Sequence, residues 1–446
     1  MKHRIENIKA LWSSIESHQD LLLASLKEDL GKPESEALLQ EIYPLKKEVE
    51  YCLNNINEWA CKRWAPTPLS LFGIRQYVKA EPKGRVLIIS PWNFPVILTL
   101  RPLITALAAG NKVVVKPSEH TPKTSDVIKT VVEAALEPDE VEVVLGGPDV
   151  AAELTAQSFD HICFIGGTKI GKLVMKAAAE QLSSVTLELG GKSPVIVDST
   201  ARLKGAAKKI AWGKYLNAGQ VCIAPDYLLV EEGIAEKFAK RFENNIHEMY
   251  GPSPIDSEDL GKIVNKHHYN RILKLIKDAV KDGAKLHVPG GVLELGEGRR
   301  KISPCFLTGC TTNMAIMKEE IFGPVLPMIT WRKTCEVFEI IEKNPNPLAL
   351  YIFSSKRKKI EEFVEGTKAG STAINEVVIQ VANPGLGFGG IGTSGIGRSN
   401  GKASFDEFSN LRSFVVSTNR LNALPLTYPP FNKFTVALSR FIRKWL

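Results

Sequence analysis

From residue 84 onward the chain repeats one rhythm, a short apolar run followed by a stretch of helical length. The runs at 86–90, 112–115, 141–145, 161–165 and 186–189 are separated by segments such as 124–136. Short buried strands alternating with helices fold as a parallel sheet wound with right-handed crossovers. Sheets of this kind bind ligands at the carboxyl ends of their strands. Past Gly190 a second α/β stretch begins, with helices predicted over 204–216, 235–249 and 266–281 and a strand over 227–230. Asp282-Gly283 and Pro289-Gly290-Gly291 punctuate it, and a glycine-rich segment at 387–397 closes it. Ahead of the repeating part, Leu11, Ile15, Leu22, Leu26 and Leu30 recur at helical spacing until Gly31-Lys32-Pro33 stops the pattern. Residues 75–80 alternate like an exposed strand or hairpin arm.

Several classes are excluded. At 446 residues and 44% hydrophobic composition the chain has room for two or three domains with ordinary cores. The longest apolar, charge-free stretch near a motif, 86–100, is too short for the ~20 residues of a membrane span and carries Pro91, Asn93 and Pro95. The first six residues include Lys2, Arg4 and Glu6 and contain no apolar signal core, which predicts a cytoplasmic chain. The seven cysteines, at 52, 61, 163, 222, 305, 310 and 335, form no Cys-x-x-Cys and cannot all pair. They point to a reducing compartment and away from a zinc ribbon or redox dithiol, so no metal is expected. Lys356-Arg357-Lys358-Lys359 is followed by Glu361 and Glu362 and reads as a solvated helix face, so no nucleic-acid partner is expected. The net charge of +8 gathers partly in residues 429–446, which contain no acidic residue. As a helix, this tail puts Phe434, Leu438, Phe441, Ile442 and Trp445 on one face and Arg440, Arg443 and Lys444 on the other. That is the pattern of an interfacial membrane anchor, or of a helix docked on its own domain or on a second subunit.

Four segments carry chemistry-bearing residues. Gly166-Gly167-Thr168-Lys169-Ile170-Gly171-Lys172 follows a predicted strand and opens a helix, where backbone N–H groups can hold phosphates. A nucleotide P-loop reading fails because Leu173 stands where the magnesium-binding Ser or Thr belongs. In Leu187-Glu188-Leu189-Gly190-Gly191-Lys192 a carboxylate sits between two leucines at a strand end. Burial would raise its pKa and suit it to accept a proton, whereas a solvent-facing glutamate would be unremarkable there. Cys222, in Asn217-Ala218-Gly219-Gln220-Val221-Cys222-Ile223-Ala224-Pro225, lies in a loop framed by Gly219 and Pro225. It is a candidate nucleophile, with no histidine placed as its base. Cys52 and Cys163 fall within apolar elements and read as buried fillers. In Pro91-Trp92-Asn93-Phe94-Pro95 the Asn93 amide could donate to a developing oxyanion or close an Asx turn.

Together and in this order, these segments resemble the NAD(P)-dependent aldehyde dehydrogenases, and among them the short class 3 type that includes fatty aldehyde dehydrogenases. The resemblance also rests on Asp29-Leu30-Gly31-Lys32-Pro33, Lys116-Pro117-Ser118-Glu119, Glu319-Glu320-Ile321-Phe322-Gly323-Pro324 and Phe388-Gly389-Gly390. It implies an α/β fold with a Rossmann-like NAD(P)-binding domain (1–66 and 81–189) and a second α/β catalytic domain (190–398). A small β oligomerisation arm (67–80 and 410–418) and an amphipathic basic tail (429–446) complete it. Carried over by position, Cys222 is the nucleophile, with its thiol pKa depressed. Asn93 and the Cys222 backbone N–H hold the oxyanion, and Glu188 activates the water that hydrolyses a thioester. Trp92, Lys116, Glu119, Gly166, Gly167, Gly171, Glu320 and Phe322 would line the cofactor, NAD first and NADP as the alternative. The expected substrate is a medium- or long-chain aliphatic or aromatic aldehyde, and the expected assembly a homodimer with peripheral membrane contact through the tail. The sequence leaves two other readings: an enzyme that passes the acyl group to coenzyme A, which a base at Glu188 disfavours, and a non-catalytic, membrane-associated cofactor-binding protein. The chain departs from the family at Ile165, Gly167 and Gly387, where Thr, Ser or Asn, and Pro are usual.

Overall fold

A computed structural model describes residues 1–68, 71–417 and 428–445. Residues 69, 70 and 418 of the expected arm, and the side chains of Ile442 and Trp445 of the expected tail face, lie outside the described residues.

Helices occupy the first sixty residues: Lys2–Ser17, Gln19–Leu30 and Tyr43–Trp59 are the long ones. The second ends at Gly31, whose φ of 62° supplies the left-handed C-cap that the glycine foretold. Between the second and third, Leu38–Ile42 adopts a π-helical turn, a conformation that concentrates at functional sites.

The repeating part builds a six-stranded sheet in the order Gly395–Ile396, Ser184–Leu189, His161–Gly166, Arg85–Ile89, Lys112–Lys116, Val141–Val143. All neighbours are parallel except the first pair. The chain winds outward from Arg85–Ile89 in one direction, then returns to start His161–Gly166 on its other flank. Sheets of this kind form a crevice at such a reversal, beyond the carboxyl ends of the two strands. Trp92 and Asn93 follow one of those ends, and Gly166 and Gly167 lie at the other.

The second sheet has seven strands in the order Lys285–His287, Cys305–Thr308, Val325–Trp331, Tyr227–Glu231, Pro194–Val197, Ala349–Phe353, Ser371–Ile374. It too is parallel but for its first strand. One feature crosses the expected boundary: Gly395–Ile396, placed by sequence in the second unit, pairs with Leu187 and Glu188 of the first sheet. A Cβ at Gly395 would lie 2.2 Å from the Leu187 carbonyl oxygen, so only glycine lets the chain approach there. Arg63–Trp64, Ile74–Pro82 and Ser409–Ser417 form a separate antiparallel sheet, with Ser409–Ser417 as an outer strand.

Helix Lys433–Trp445 carries Phe434 and Phe441 exposed, at 67% and 59%. No helix among the described residues is long and apolar enough to cross a membrane.

Candidate active site

The loop bearing Cys222 is held in a conformation its sequence would not choose alone. After helix Leu203–Tyr215 the chain turns through three successive left-handed residues, Asn217, Ala218 and Gly219. Non-glycine residues in that region cost roughly 1–3 kcal/mol each and persist only where surroundings impose them. The surroundings here are a polar lattice. Asn217 Nδ2 donates to the Asn93 carbonyl at 2.7 Å, and Asn93 Nδ2 returns a bond to the Gln220 carbonyl at 3.0 Å. Gln220 Nε2 donates to the carbonyls of Asn217 and Lys262, and its Oε1 accepts from the Val264 N–H. Gly219 lies so close to the following loop that a Cβ would meet the Gly323 carbonyl oxygen at 2.3 Å.

Asn93 is anchored from the other side by a buried ion pair. Lys32 donates to Glu41 and to the Asn93 carbonyl, and its ammonium lies 4.1 Å from the Phe94 ring centroid. The second Glu41 oxygen accepts from the N–H groups of Val96 and Ile97, at the start of helix Pro95–Ala109. A carboxylate there satisfies orphan donors and complements the helix dipole. One hydrogen of the Asn93 amide is committed to Gln220, which leaves the other for a ligand.

Glu188 is buried at 6% exposure and accepts a hydrogen bond from Ser399 Oγ at 3.0 Å. Burial pushes its pKa up to about 7, against the Ser399 bond and the nearby Arg101 charge. The solvent-facing alternative is thereby corrected: the strand's inward face points this carboxyl into a cavity of about 330 Å³ that also contains Cys222. The expected depression of the Cys222 thiol is also corrected. Burial, then the charges of Glu188 and Glu320, raise it well above the usual thiol range, and the N–H groups of Cys222 and Ile223 only partly offset them. The remaining walls are mostly apolar, with Leu39, Tyr43, Ile97, Leu98 and Trp212 among them.

At the crevice, Lys116 donates to Glu119 at 2.9 Å. Burial works against the Glu119 charge, but its own backbone N–H and Lys116 hold its pKa below the usual carboxylate range. Glu320 sits over Gly190, where a Cβ would meet its Oε2 at 2.1 Å. Burial, then Asp226, pushes the Glu320 pKa up to about 8. Phe322, at a φ of 51°, packs edge-on against Trp92 with centroids 5.3 Å apart. This loop is fixed from beneath by Lys192, which pairs with Asp226 and donates to the carbonyls of Ile316 and Glu319. Asp226 in turn accepts from the Ile321 N–H. Gly167 has open space around it, whereas Gly171 is turned away from the crevice: its Cβ would strike Leu189 at 2.5 Å, so it serves helix-on-strand packing. All seven cysteines are free, and among the described residues no group of three His, Cys, Asp or Glu gathers to hold a metal.

The model of the Aldehyde dehydrogenase family matches residues 1–414. The chain belongs to the aldehyde dehydrogenase family. It is similar to the 4,4'-diaponeurosporen-aldehyde dehydrogenase of Staphylococcus aureus, 40% identical over 428 residues, which cover 96% of this chain and 92% of that protein. Aldehyde dehydrogenase family 3 member A2 of Rattus norvegicus is 38% identical over 442 residues, 99% of this chain and 90% of the relative. A solved substrate-bound state of Staphylococcus aureus AldH superposes with a TM-score of 0.94 at 39% identity, covering 99% of this chain and 95% of the other. This aldehyde dehydrogenase is therefore an NAD(P)-dependent enzyme that oxidises aldehydes to acids.

The crevice residues of this aldehyde dehydrogenase fit such a cofactor. Helix Thr168–Glu180 presents N-terminal N–H groups with no side-chain cap, suited to a diphosphate. A carboxylate at Glu119 can accept from ribose hydroxyls. Several contributors were not singled out from the sequence. Lys32 and Lys192 lie inside motifs that drew notice for other residues and Asp226 directly follows the Cys222 segment, whereas Arg101 and Ser399 gave no signal, because their partners come from distant segments.

Proposed function

We propose that this aldehyde dehydrogenase oxidises medium- or long-chain aliphatic or aromatic aldehydes to free carboxylic acids, with NAD preferred. The observation that carries this reading is the apolar cavity holding both Cys222 and Glu188. An aldehyde whose hydrocarbon part fills that cavity brings its carbonyl to the Cys222 sulfur, and burial of each methylene contributes ~0.8 kcal/mol. Cys222, which is partly exposed, adds to the carbonyl as the thiolate, its proton having passed to solvent water. The Asn93 amide and the Cys222 N–H hold the resulting oxyanion of the thiohemiacetal. When bound in the crevice, NAD(P)+ supplies the acceptor for the hydride that leaves, and a thioester on Cys222 remains. Glu188 then removes a proton from water as it attacks the thioester, and the Cys222 sulfur departs with the freed electron pair. A base so placed favours water over coenzyme A as acyl acceptor. Glu119 disfavours a 2′-phosphate on the adenosine ribose, and its Lys116 partner is the residue that would tolerate one.

A panel of saturated aldehydes of rising chain length, assayed with NAD and with NADP, tests this. We expect kcat/KM to rise by ~4-fold or less per added methylene until the cavity is full, and to be higher with NAD. A flat or falling series would sink the apolar-substrate reading, and equal acyl transfer to added coenzyme A would sink the free-acid product.

The reading extends to assembly. Residues 1–66 and 81–189 form the cofactor unit, 190–398 the catalytic unit, with Gly395–Ile396 reaching across. The outer strand Ser409–Ser417, with Val415 at 68% exposure, is the edge for a homodimer. The tail makes peripheral membrane contact through Phe434 and Phe441, aided by basic side chains worth roughly 1 kcal/mol each at an anionic surface. Deleting 429–446 should abolish co-sedimentation with anionic vesicles and leave turnover of a water-soluble aldehyde intact. Unchanged pelleting would refute the anchor.

A further inference from the structure

The segment that crosses between the two sheets runs on to the Glu188 side chain. Gly395 lies opposite Glu188 in register. A few residues later Ser399 Oγ donates to Glu188 Oε2 at 3.0 Å, and among the described residues no other hydrogen bond reaches this carboxyl. Its Oε1 is left to the cavity, which Glu188 and Ser399 both line.

Local preference alone does not bring Ser399 here. Its backbone exchanges hydrogen bonds with Phe388, N–H to carbonyl in each direction, at 2.6 Å and 2.9 Å. The next two residues, Asn400 and Gly401, have φ of 73° and 48°. A left-handed asparagine persists only where contacts impose it. Two helices supply them. The Gly401 N–H donates to Glu48 Oε1 at 2.6 Å, and Arg101 Nη1 donates to Asn400 Oδ1 at 2.9 Å. Glu48 and Arg101 are both buried and lie 3.9 Å apart, so each charge compensates the other while holding the chain.

The Ser399 hydroxyl has one hydrogen and two acceptors within reach. Besides Glu188 Oε2 there is the Phe388 carbonyl at 3.2 Å, which already accepts from the Ser399 N–H. A hydrogen bond to an ionised acceptor is roughly twice as strong as one between neutral groups. The hydrogen therefore goes to Glu188 while the carboxyl is charged, and the preference fades once the carboxyl is neutral. Such donation favours the charged form. Of the other groups acting on Glu188, the Arg101 guanidinium also favours its charge, and the Cys163 thiol is neutral. Cys222 carries no charge once acylated, and Arg398 and Glu407 line the same cavity.

We propose that Ser399 is a positioning residue for Glu188: the segment 395–401, clamped by Glu48 and Arg101, presents its hydroxyl to one oxygen of the charged carboxyl and leaves the other oxygen for the hydrolytic water. This rests on Glu188 being the base. Ser399 keeps the carboxyl ionised at a lower pH than burial alone would allow.

Single-turnover acylation tests this without cofactor. Less than one equivalent of p-nitrophenyl acetate is mixed with enzyme at a series of pH values between 6 and 10. Release of p-nitrophenolate reports acylation of Cys222, and the acyl mass in quenched samples then reports hydrolysis. In the parent enzyme hydrolysis should rise through an inflection at about pH 7 and level off. Ser399→Ala should acylate as the parent does, with its inflection moved up by about one pH unit. Hydrolysis would then be about fivefold slower at pH 7, with most of the loss recovered above pH 9. Ser399→Thr keeps the hydroxyl, its methyl can extend into the cavity, and it should restore the parent inflection. A defect of structure alone would slow hydrolysis by one factor at every pH. An inflection unmoved in Ser399→Ala, or moved but not restored in Ser399→Thr, would overturn the proposal. Glu188→Gln keeps the two readings apart. If that variant hydrolyses with the parent profile, the base assignment is wrong; if it stalls while Ser399→Ala keeps the parent inflection, only the role of Ser399 falls.

Discussion

Cys222→Ala should form no NADH from any aldehyde, a loss of ~10⁴-fold or more, and should give no burst from an activated ester. The size follows from covalency: without sulfur there is no thiohemiacetal from which hydride can leave. No other thiol substitutes. Cys163 shares the cavity but is 3% exposed, and burial, then Glu188 and Glu407, drive its pKa far up. Cys61 and Cys335 are exposed and do not line the cavity. The raised Cys222 thiol adds a pH signature. A group whose pKa lies well above the assay pH is mostly protonated, so the burst rate should climb as pH rises and more thiolate forms. Residual NADH above the uncatalysed level in Cys222→Ala would remove Cys222 as nucleophile.

The expected thiol depression failed for an instructive reason. A loop cysteine between Gly219 and Pro225 suggests exposed N–H groups, and those of Cys222 and Ile223 are indeed favourable to the thiolate. What the local sequence does not reveal is that Glu188 and Glu320, 34 residues upstream and 98 downstream, face the same sulfur. Elements were legible because their periodicity is local: Lys266–Lys281 falls where its apolar spacing put it, and the strands from 85 to 189 appear in order. Sheet order was not legible beyond its class, since the reversal between Arg85–Ile89 and His161–Gly166 depends on packing rather than on any residue. The same distinction divides the site. Motifs singled out Cys222, Glu188 and Asn93, and they contain Lys32 and Lys192, yet the buried pairs Lys32–Glu41 and Lys192–Asp226 became readable only through contacts. Those pairs explain why lysines stand in motifs with no evident chemistry. A buried ammonium is tolerable only when a carboxylate and carbonyls surround it, and an ion so enclosed fixes the loops that enclose it. Lys32 fixes the Asn93 loop, and Lys192 fixes the Glu319–Phe322 segment. Gly171 shows the converse error: a glycine near a phosphate-type turn looked functional but answers to Leu189.

Glu188→Gln should still produce one equivalent of NADH per active site and then stall, its steady-state rate down by ~10²–10⁴-fold. Glutamine keeps the shape and can still accept a bond from Ser399, so the loss isolates proton acceptance. In the proposed mechanism hydride departure needs only the oxyanion held by Asn93 and the Cys222 N–H, whereas water cannot attack a thioester at useful speed without a base. The pH dependence has a definite sign. The Glu188 pKa is raised to about 7 by burial, so its carboxylate fraction grows as pH rises through that value. Acyl-enzyme hydrolysis in the parent enzyme should therefore rise from pH 6 to pH 8 and level off, while the residual rate of Glu188→Gln should lack that inflection. Arg101 supplies an independent control, because its charge favours the ionised carboxyl. Arg101→Met should shift the inflection upward without changing the burst amplitude. Rapid-quench mass spectrometry of the acyl-enzyme measures the step directly. If Glu188→Gln hydrolyses its thioester at the parent rate, or the inflection persists in the variant, another group is the base.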